Sequence, residues 1–136
     1  MRLLERVTPR TLGSMPIVTV ELVVETGEPL APGLAQAVAD AVGRTLDSPS
    51  GQTWVRLHTL DRHQYAENDS SLDVGELPVF VNVLERHVPG DAALHARIAA
   101  LTQAIARALG RSATSVHIEY APPALNRLAF GGKLVQ

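Results

Sequence analysis

The stretch Met15-Pro16-Ile17-Val18-Thr19-Val20 decides how the chain is interpreted, because it joins a proline to the start of a strongly apolar segment. Residues 17–25 are rich in β-branched side chains and almost continuously apolar. Such a run is typical of a strand that is buried on both faces of a mostly parallel sheet. Proline is tolerated at the first position of a strand. The sequence therefore predicts that Pro16 opens the first strand of the fold.

The nitrogen of Pro16 has two different chemistries, depending on what precedes it. Inside a chain it is a tertiary amide that has no proton to donate and only shapes the backbone. At a free amino terminus it is a secondary amine, and an apolar wall or a neighbouring cation would bring its pKa toward neutrality, where a general base works best. Translation from Met15, followed by removal of that methionine, would give the second case. An extension that stays attached would give the first.

Length and composition narrow the class of protein. At 136 residues the chain has the size of one domain, and we divide it into an extension at residues 1–14 and a single domain at residues 15–136. Its net charge of -2 does not fit a nucleic-acid-binding surface, and the absence of cysteine excludes disulfides and thiolate chemistry. No apolar run approaches the ~20 residues of a membrane span. We therefore expect a soluble, cytoplasmic protein.

The domain repeats one strand–helix–strand pattern, first over residues 16–60 and again over residues 78–120. We predict strands at 17–25, 53–58, 78–84 and 115–120 and helices at 30–46 and 92–109. Asp91 is the expected N-cap of the second helix, and Gly110 is expected to end it. Right-handed crossovers would place both helices on one face of a four-stranded mixed sheet, an α/β or α+β arrangement. Residues 61–77 are predicted to form a loop.

The two ends of this pattern resemble the tautomerase superfamily, which contains 4-oxalocrotonate tautomerase and macrophage migration inhibitory factor. The segment from Met15 to Leu22 is similar to the opening of that family. The strand Ser115-Val116-His117-Ile118-Glu119-Tyr120, followed by Ala129-Phe130-Gly131-Gly132, resembles its strand-then-Phe-Gly-Gly ending. The resemblance extends from residue 16 to residue 135. It implies a homotrimer with helices outside, sheets around a central axis, and three sites that are each built around an amino-terminal proline.

The resemblance also implies roles for individual side chains. His117 and Glu119 lie where the factor-like members place a polar side chain that reaches into the proline pocket of the neighbouring subunit. They would orient and polarise substrate, or they would be two solvated residues on the sheet face around the trimer axis. Arg56 resembles the arginine with which 4-oxalocrotonate tautomerase binds a substrate carboxylate. Repeat symmetry, however, would place Arg56 nearer Pro78, where a structural ion pair is the favoured alternative.

Other candidate side chains have more ordinary interpretations. Phe130 is expected to form an apolar wall of the site. Tyr65 and Asn68 either close over a pocket or pack at the subunit boundary, and packing is the favoured reading. The histidines outside the strands have no partners at metal-ligand spacing, so no metal site is expected.

Three functional hypotheses follow. The first is an isomerase without a cofactor that moves a proton between carbon and oxygen of a small 2-keto or enol acid, with Pro16 as the base and Arg56 or His117 holding the carboxylate. The second is a hydratase or dehalogenase of a 3-substituted acrylate, which would use a protonated Pro16 and water activated by Glu119. The third is a non-catalytic trimeric binding module in which the extension blocks Pro16.

The carboxy-terminal segment predicts how subunits would assemble. Residues 128–135 are too apolar for a solvated tail. Pairing along the edge of a neighbouring sheet would bury them and satisfy their backbone groups. We therefore expect a cyclic homotrimer in which each carboxy-terminal strand pairs with the next subunit.

Overall fold

The computed structural model describes residues 15–71 and 77–136, and the predicted extension at residues 1–14 lies outside the described residues. The predicted first strand forms β1, Ile17–Val24, which is an inner strand of the sheet. β1 pairs in parallel with β2, Trp54–Asp61, and antiparallel with β3, Val79–Leu84. β3 pairs in parallel with β4, Val116–Tyr120. The resulting order, β2-β1-β3-β4, confirms the four-stranded mixed sheet.

Both predicted helices are present, with shifted starts. α1 spans Leu34–Thr45 and begins later than predicted, because Gly33 has a φ of 80° and Pro32 disfavours a helical residue before it. α2 spans Asp91–Leu109, and its N-cap is Gly90 with extended backbone. The N-cap assignment of Asp91 was therefore wrong, although its carboxylate in the first turn still favours the helix dipole.

One face of the sheet packs against the two helices. Val20 and Val81 from the inner strands share a buried cluster with Val42 of α1 and Leu101 of α2. Each fully buried side chain of this kind stabilises the fold by about 1.5–3 kcal/mol relative to its exposed state. The two helices also contact each other. This packing confirms the prediction that both helices cover the same face.

The opposite face of the sheet is not buried as the apolar run of β1 suggested. Over residues 17–22 the exposure alternates, so Val18 and Val20 are fully buried whereas Ile17, Thr19 and Glu21 are partly exposed; the last residues of β1 are buried on both faces. Most residues of β1 are apolar, but Thr19 and Glu21 occupy alternate positions and therefore lie on the same face of the strand. We call this second side of the sheet the open face.

Three connections differ from the sequence prediction. β2 continues to Asp61, because β1 supplies pairing partners as far as Val24. The predicted loop at 61–77 begins with a short 3₁₀ helix, Arg62–Gln64, and its residues 72–76 lie outside the described residues. A second 3₁₀ helix, Ala113–Ser115, takes the place of the start of the predicted fourth strand. No helix among the described residues is long and apolar enough to cross a membrane.

The carboxy-terminal segment folds back on itself, where one edge strand had been predicted. β5, Ala129–Phe130, pairs antiparallel with β6, Lys133–Leu134. The turn between them consists of Gly131 and Gly132 with φ values of 57° and 85°. Positive φ at both central residues is the requirement of a type I′ hairpin turn, and glycine meets it without strain.

Candidate functional site

Pro16 lies at the start of β1 and is fully buried. Its carbonyl oxygen accepts a hydrogen bond of 3.0 Å from the backbone N–H of Trp54, which fixes Pro16 beside the beginning of β2. In the described chain its nitrogen is joined to Met15, which has a φ of 44°. In this form the nitrogen of Pro16 is an amide without basicity.

The antiparallel ladder between β1 and β3 brings Glu85 to Pro16. Ile17 pairs with Leu84 and Val18 pairs with Val83, so the next step of the same register places Pro16 opposite Glu85. Side chains alternate between the two faces along each strand, and this alternation places Pro16 and Glu85 on the helix-covered face. Both residues are fully buried. Side chains that lie directly opposite on one face of such a pair have Cβ atoms about 5 Å apart. A carboxylate is thus the cross-strand neighbour of Pro16.

The carboxylate of Glu85 is held by side chains from two other elements. Arg97 of α2 donates from Nη1 to both carboxylate oxygens, at 3.0 and 2.6 Å. The hydroxyl of Tyr120 in β4 donates to Oε1 at 2.6 Å. Burial raises the pKa of Glu85, and the bonds from Tyr120 and Arg97 act in the opposite direction. Burial and the bond to Glu85 also raise the pKa of Tyr120. We call Glu85, Arg97 and Tyr120 the Glu85 cluster.

The chain after β4 covers this cluster. The N–H of Ala124 donates to the carbonyl of Glu85 at 2.8 Å, and the N–H of Leu125 donates to the carbonyl of Arg86 at 3.1 Å. Ala124 is itself buried, and Arg86 donates to the carbonyl of Gln136 near the chain end. The residues after β4 are therefore held against the end of β3 beside Glu85.

An aromatic pair borders the same end of the sheet. The ring of Trp54 stacks on that of Phe130, with centroids 4.5 Å apart and planes at 27°. Because Trp54 is bonded to Pro16 through its backbone, the hairpin of β5 and β6 carries Phe130 to the region of Pro16. Phe130 thus packs against Trp54, and its role as an apolar wall of the site stays a prediction.

Arg56 lies on the open face, in one row with Thr19, Asn82 and Glu119 across the four strands. Its Nη2 donates to the hydroxyl of Thr19 at 3.0 Å. Thr19 is three residues from Pro16, whereas the carbonyl of Pro78 bonds to Val23 at the other end of β1. The expectation that Arg56 lies nearer Pro78 was therefore wrong within the subunit, because the parallel register starts β2 beside Pro16.

The next row of the open face contains His58, Glu21, Phe80 and His117. Phe80 is in contact with the His117 ring at 5.4 Å and with the Tyr65 ring at 5.7 Å. Tyr65 thus packs against Phe80 of the sheet, and its predicted position at a subunit boundary stays a prediction. Its hydroxyl donates to Glu67 at 2.6 Å, and this bond raises the pKa of Tyr65 to about 12.

His117 and Glu119 share the open face as predicted, and both line a shallow cavity of about 320 Å³ whose lining residues come from all four strands. β3 separates β4 from β1, so neither side chain is brought to Pro16 within the subunit. The structure therefore assembles two groupings, the buried Glu85 cluster beside Pro16 and the polar rows of the open face. Among the described residues, no three His, Asp or Glu side chains are placed to hold a metal ion.

The Glu85 cluster was missed from the sequence, although one signal was available. Val79, Val81 and Val83 alternate onto the buried face, and Glu85 is the next residue in that series. A charged residue at a core position of a strand has to find a partner within the protein. The sequence could have flagged Glu85 in this way, but it could not have named Arg97 or Tyr120.

No protein-family model and no curated protein matches the chain. Solved structures do match it over most of its length. A protein named Pt0534, crystallised after inactivation by 2-oxo-3-pentynoate, is 19% identical with a TM-score of 0.66, over 88% of this chain and 94% of that one. A fused 4-OT symmetric trimer is 20% identical with a TM-score of 0.64 over 88% and 94%. Macrophage migration inhibitory factor from Trichinella spiralis is 14% identical with a TM-score of 0.65 over 86% and 97%.

Replacing Arg97 by methionine should destabilise the protein by roughly 3–5 kcal/mol, because a buried carboxylate then loses its cationic partner. The same loss raises the pKa of Glu85 further. An acid whose pKa is raised on folding favours the folded state at low pH and disfavours it as the pH rises through that pKa. The deficit of Arg97→Met should therefore be larger at pH 7 than at pH 5, as measured by urea unfolding at equal protein concentration.

Arg107→Met is the matched control for this experiment. Arg107 lies in the last turn of the same helix and is exposed, so its loss should cost no more than about 1 kcal/mol. Equal losses for the two variants, or a deficit of Arg97→Met that does not depend on pH, would contradict the description of the cluster.

Proposed function

We propose that this chain, which has the fold of the tautomerase superfamily, is a tautomerase that needs no cofactor and interconverts the keto and enol forms of a small 2-keto acid when Pro16 carries a free amine. One observation carries the proposal. Pro16 opens an inner strand of the sheet between Trp54, which bonds to its carbonyl and stacks on Phe130, and Glu85, which lies opposite it in the continued register of β1 and β3.

The amine of Pro16 would act as a proton carrier. It would take a proton from the substrate at one position and return it at the other, so that keto and enol forms exchange without loss of atoms. The stacked rings of Trp54 and Phe130 limit the access of water from one side, and desolvation favours the neutral, basic form of the amine. A positioned base of this kind contributes a rate factor of about 10² to 10⁴.

The substrate carboxylate needs a cation, and the open face offers one. Arg56 is exposed. It lies opposite Thr19 of the neighbouring strand β1, and Thr19 is three residues after Pro16. The guanidinium of Arg56 donates a hydrogen bond to the neutral hydroxyl of Thr19. This bond does not neutralise its charge. Arg56, or His117 from a neighbouring subunit, is our candidate for holding the substrate acid. That Pt0534 is inactivated by a 2-keto acid reagent supports this class of substrate.

The binding-module hypothesis is favoured by a different observation. With Met15 attached, the buried nitrogen of Pro16 is an amide, and the site then has no base. The hydratase hypothesis has less support within one subunit, because Glu119 lies two strands away from β1. It would need Glu119 to come from another copy of the chain.

The proposed activity depends on the nitrogen of Pro16 alone. Protein that begins at Pro16 should ketonise simple enol acids, and the full chain should do so at least about 10²-fold more slowly because its nitrogen is an amide. Pro16→Ala in the shorter chain should also lower the rate, and Glu119→Gln should leave it unchanged. The loss of enol absorbance measures each rate. Equal rates for the full and shorter chains, or for Pro16→Ala and the parent, would sink the proposal.

We further propose that the active form is a cyclic homotrimer. The two helices leave the open face of the sheet uncovered, and Leu134 of the hairpin is 50% exposed although it is a large apolar residue. A neighbouring sheet that pairs with β6 would cover Leu134 and would bring His117 or Glu119 toward the Pro16 region of the next subunit. The fused 4-OT structure is itself described as a symmetric trimer.

Removal of residues 128–136 should yield monomer or aggregate and abolish the proline-dependent activity. This deletion also removes Phe130 from Trp54, so Leu134→Arg is a sharper variant that keeps the aromatic pair. Leu134→Arg should shift the sedimenting species toward monomer, because it places a charge in the proposed contact. A truncated chain that sediments as a stable trimer would refute this assembly.

A further inference from the structure

We infer that Glu85 is a positioning residue that sets the protonation state of the Pro16 amine, because it places a buried anion directly across the strand pair from Pro16. The inference rests on the proposed function, in which Pro16 carries that amine. The inference adds that Glu85 helps to set the pKa of the Pro16 amine, and hence the pH at which this amine changes from proton donor to proton acceptor.

The geometry supports this role before any titration is considered. The antiparallel register of β1 and β3, continued one step beyond Ile17 and Leu84, places Pro16 opposite Glu85 on the same face, and each is fully buried. Water therefore does not separate the two side chains as it would at a surface. In surroundings from which water is excluded, a negative charge on a neighbouring residue favours the ammonium form of an amine by about one pKa unit or more.

The carboxylate is also fixed in place. Arg97 binds both of its oxygens and Tyr120 binds one of them, so three hydrogen bonds from two elements hold it. A buried ion pair contributes little to stability compared with well-packed apolar side chains, so packing alone does not explain a carboxylate at this position. The N–H of Ala124 also donates to the backbone carbonyl of Glu85, which fixes the main chain at this residue.

Several charged or titratable groups lie around this position. They are Glu85 from β3, Arg97 from α2, Tyr120 from β4, and Arg86, whose guanidinium binds the carbonyl of Gln136. Glu85 favours the ammonium form of Pro16, whereas Arg97 and desolvation favour the neutral amine. The two members of the ion pair should therefore shift the titration of Pro16 in opposite directions.

The test is a nitrogen NMR titration of Pro16 in protein that begins at this residue and carries ¹⁵N-labelled proline. Glu85→Gln should lower the pKa of the amine by about one unit or more, and Arg97→Met should raise it. Glu28→Gln is the control, since it removes an equal charge from the exposed turn after β1. It should leave the pKa of Pro16 unchanged.

The outcomes separate this inference from the proposed function. An unchanged pKa in Glu85→Gln, or shifts in the same direction for Glu85→Gln and Arg97→Met, would overturn the inference even if the protein is an active tautomerase. Opposite shifts in a protein without activity would leave the electrostatic role standing and remove the proposed reaction.

A further variant decides the matter if either of these proteins fails to fold. Tyr120→Phe removes one hydrogen bond from the carboxylate and keeps the ring. The carboxylate of Glu85 then has one hydrogen-bond donor fewer to offset its negative charge. The pKa of Pro16 should therefore rise in this variant. The absence of such a rise would overturn the inference.

Discussion

A carboxylate that is removed from water must find its hydrogen bonds inside the protein, and Glu85 finds them on two different elements. Arg97 reaches it from α2 and Tyr120 reaches it from β4, while the chain after β4 bonds to its backbone carbonyl. Glu85 therefore joins α2 and β4 through its side chain, and the segment after β4 through its backbone, at the end of β3.

The sheet separates two kinds of chemistry. Its helix-covered face is aliphatic except at the Pro16 end, where the Glu85 cluster interrupts it. Its open face presents two rows of polar side chains, with Arg56 near the beginning of β1 and His117 toward the other end. No residue of the open-face row that contains His117 reaches Pro16 within the described subunit. A site that combined the Pro16 end with His117 would therefore need His117 to come from a second copy of the chain, whereas Arg56 lies near Pro16 in the same subunit.

The elements that could be predicted from the sequence are those set by local patterns. The four strands and two helices follow from apolar periodicity, and Gly110 ends α2 with a φ of 68° because glycine adopts this conformation without strain. The Glu85 cluster could not be predicted in the same way. It joins residues 12 and 35 positions apart, and only strand register and helix packing decide that they meet. Arg56 shows the same limit, since its neighbour Thr19 is a consequence of register.

The central claim is that a free amine at Pro16 is the reactive group of a small keto-acid site. It is tested most directly by treating the protein with 2-oxo-3-pentynoate and locating the label by intact mass and peptide mapping. Protein that begins at Pro16 should gain one reagent per chain, on Pro16, and the full chain should gain none there because its Pro16 nitrogen is an amide. Labelling at another residue, or equal labelling of both chains, would contradict the account.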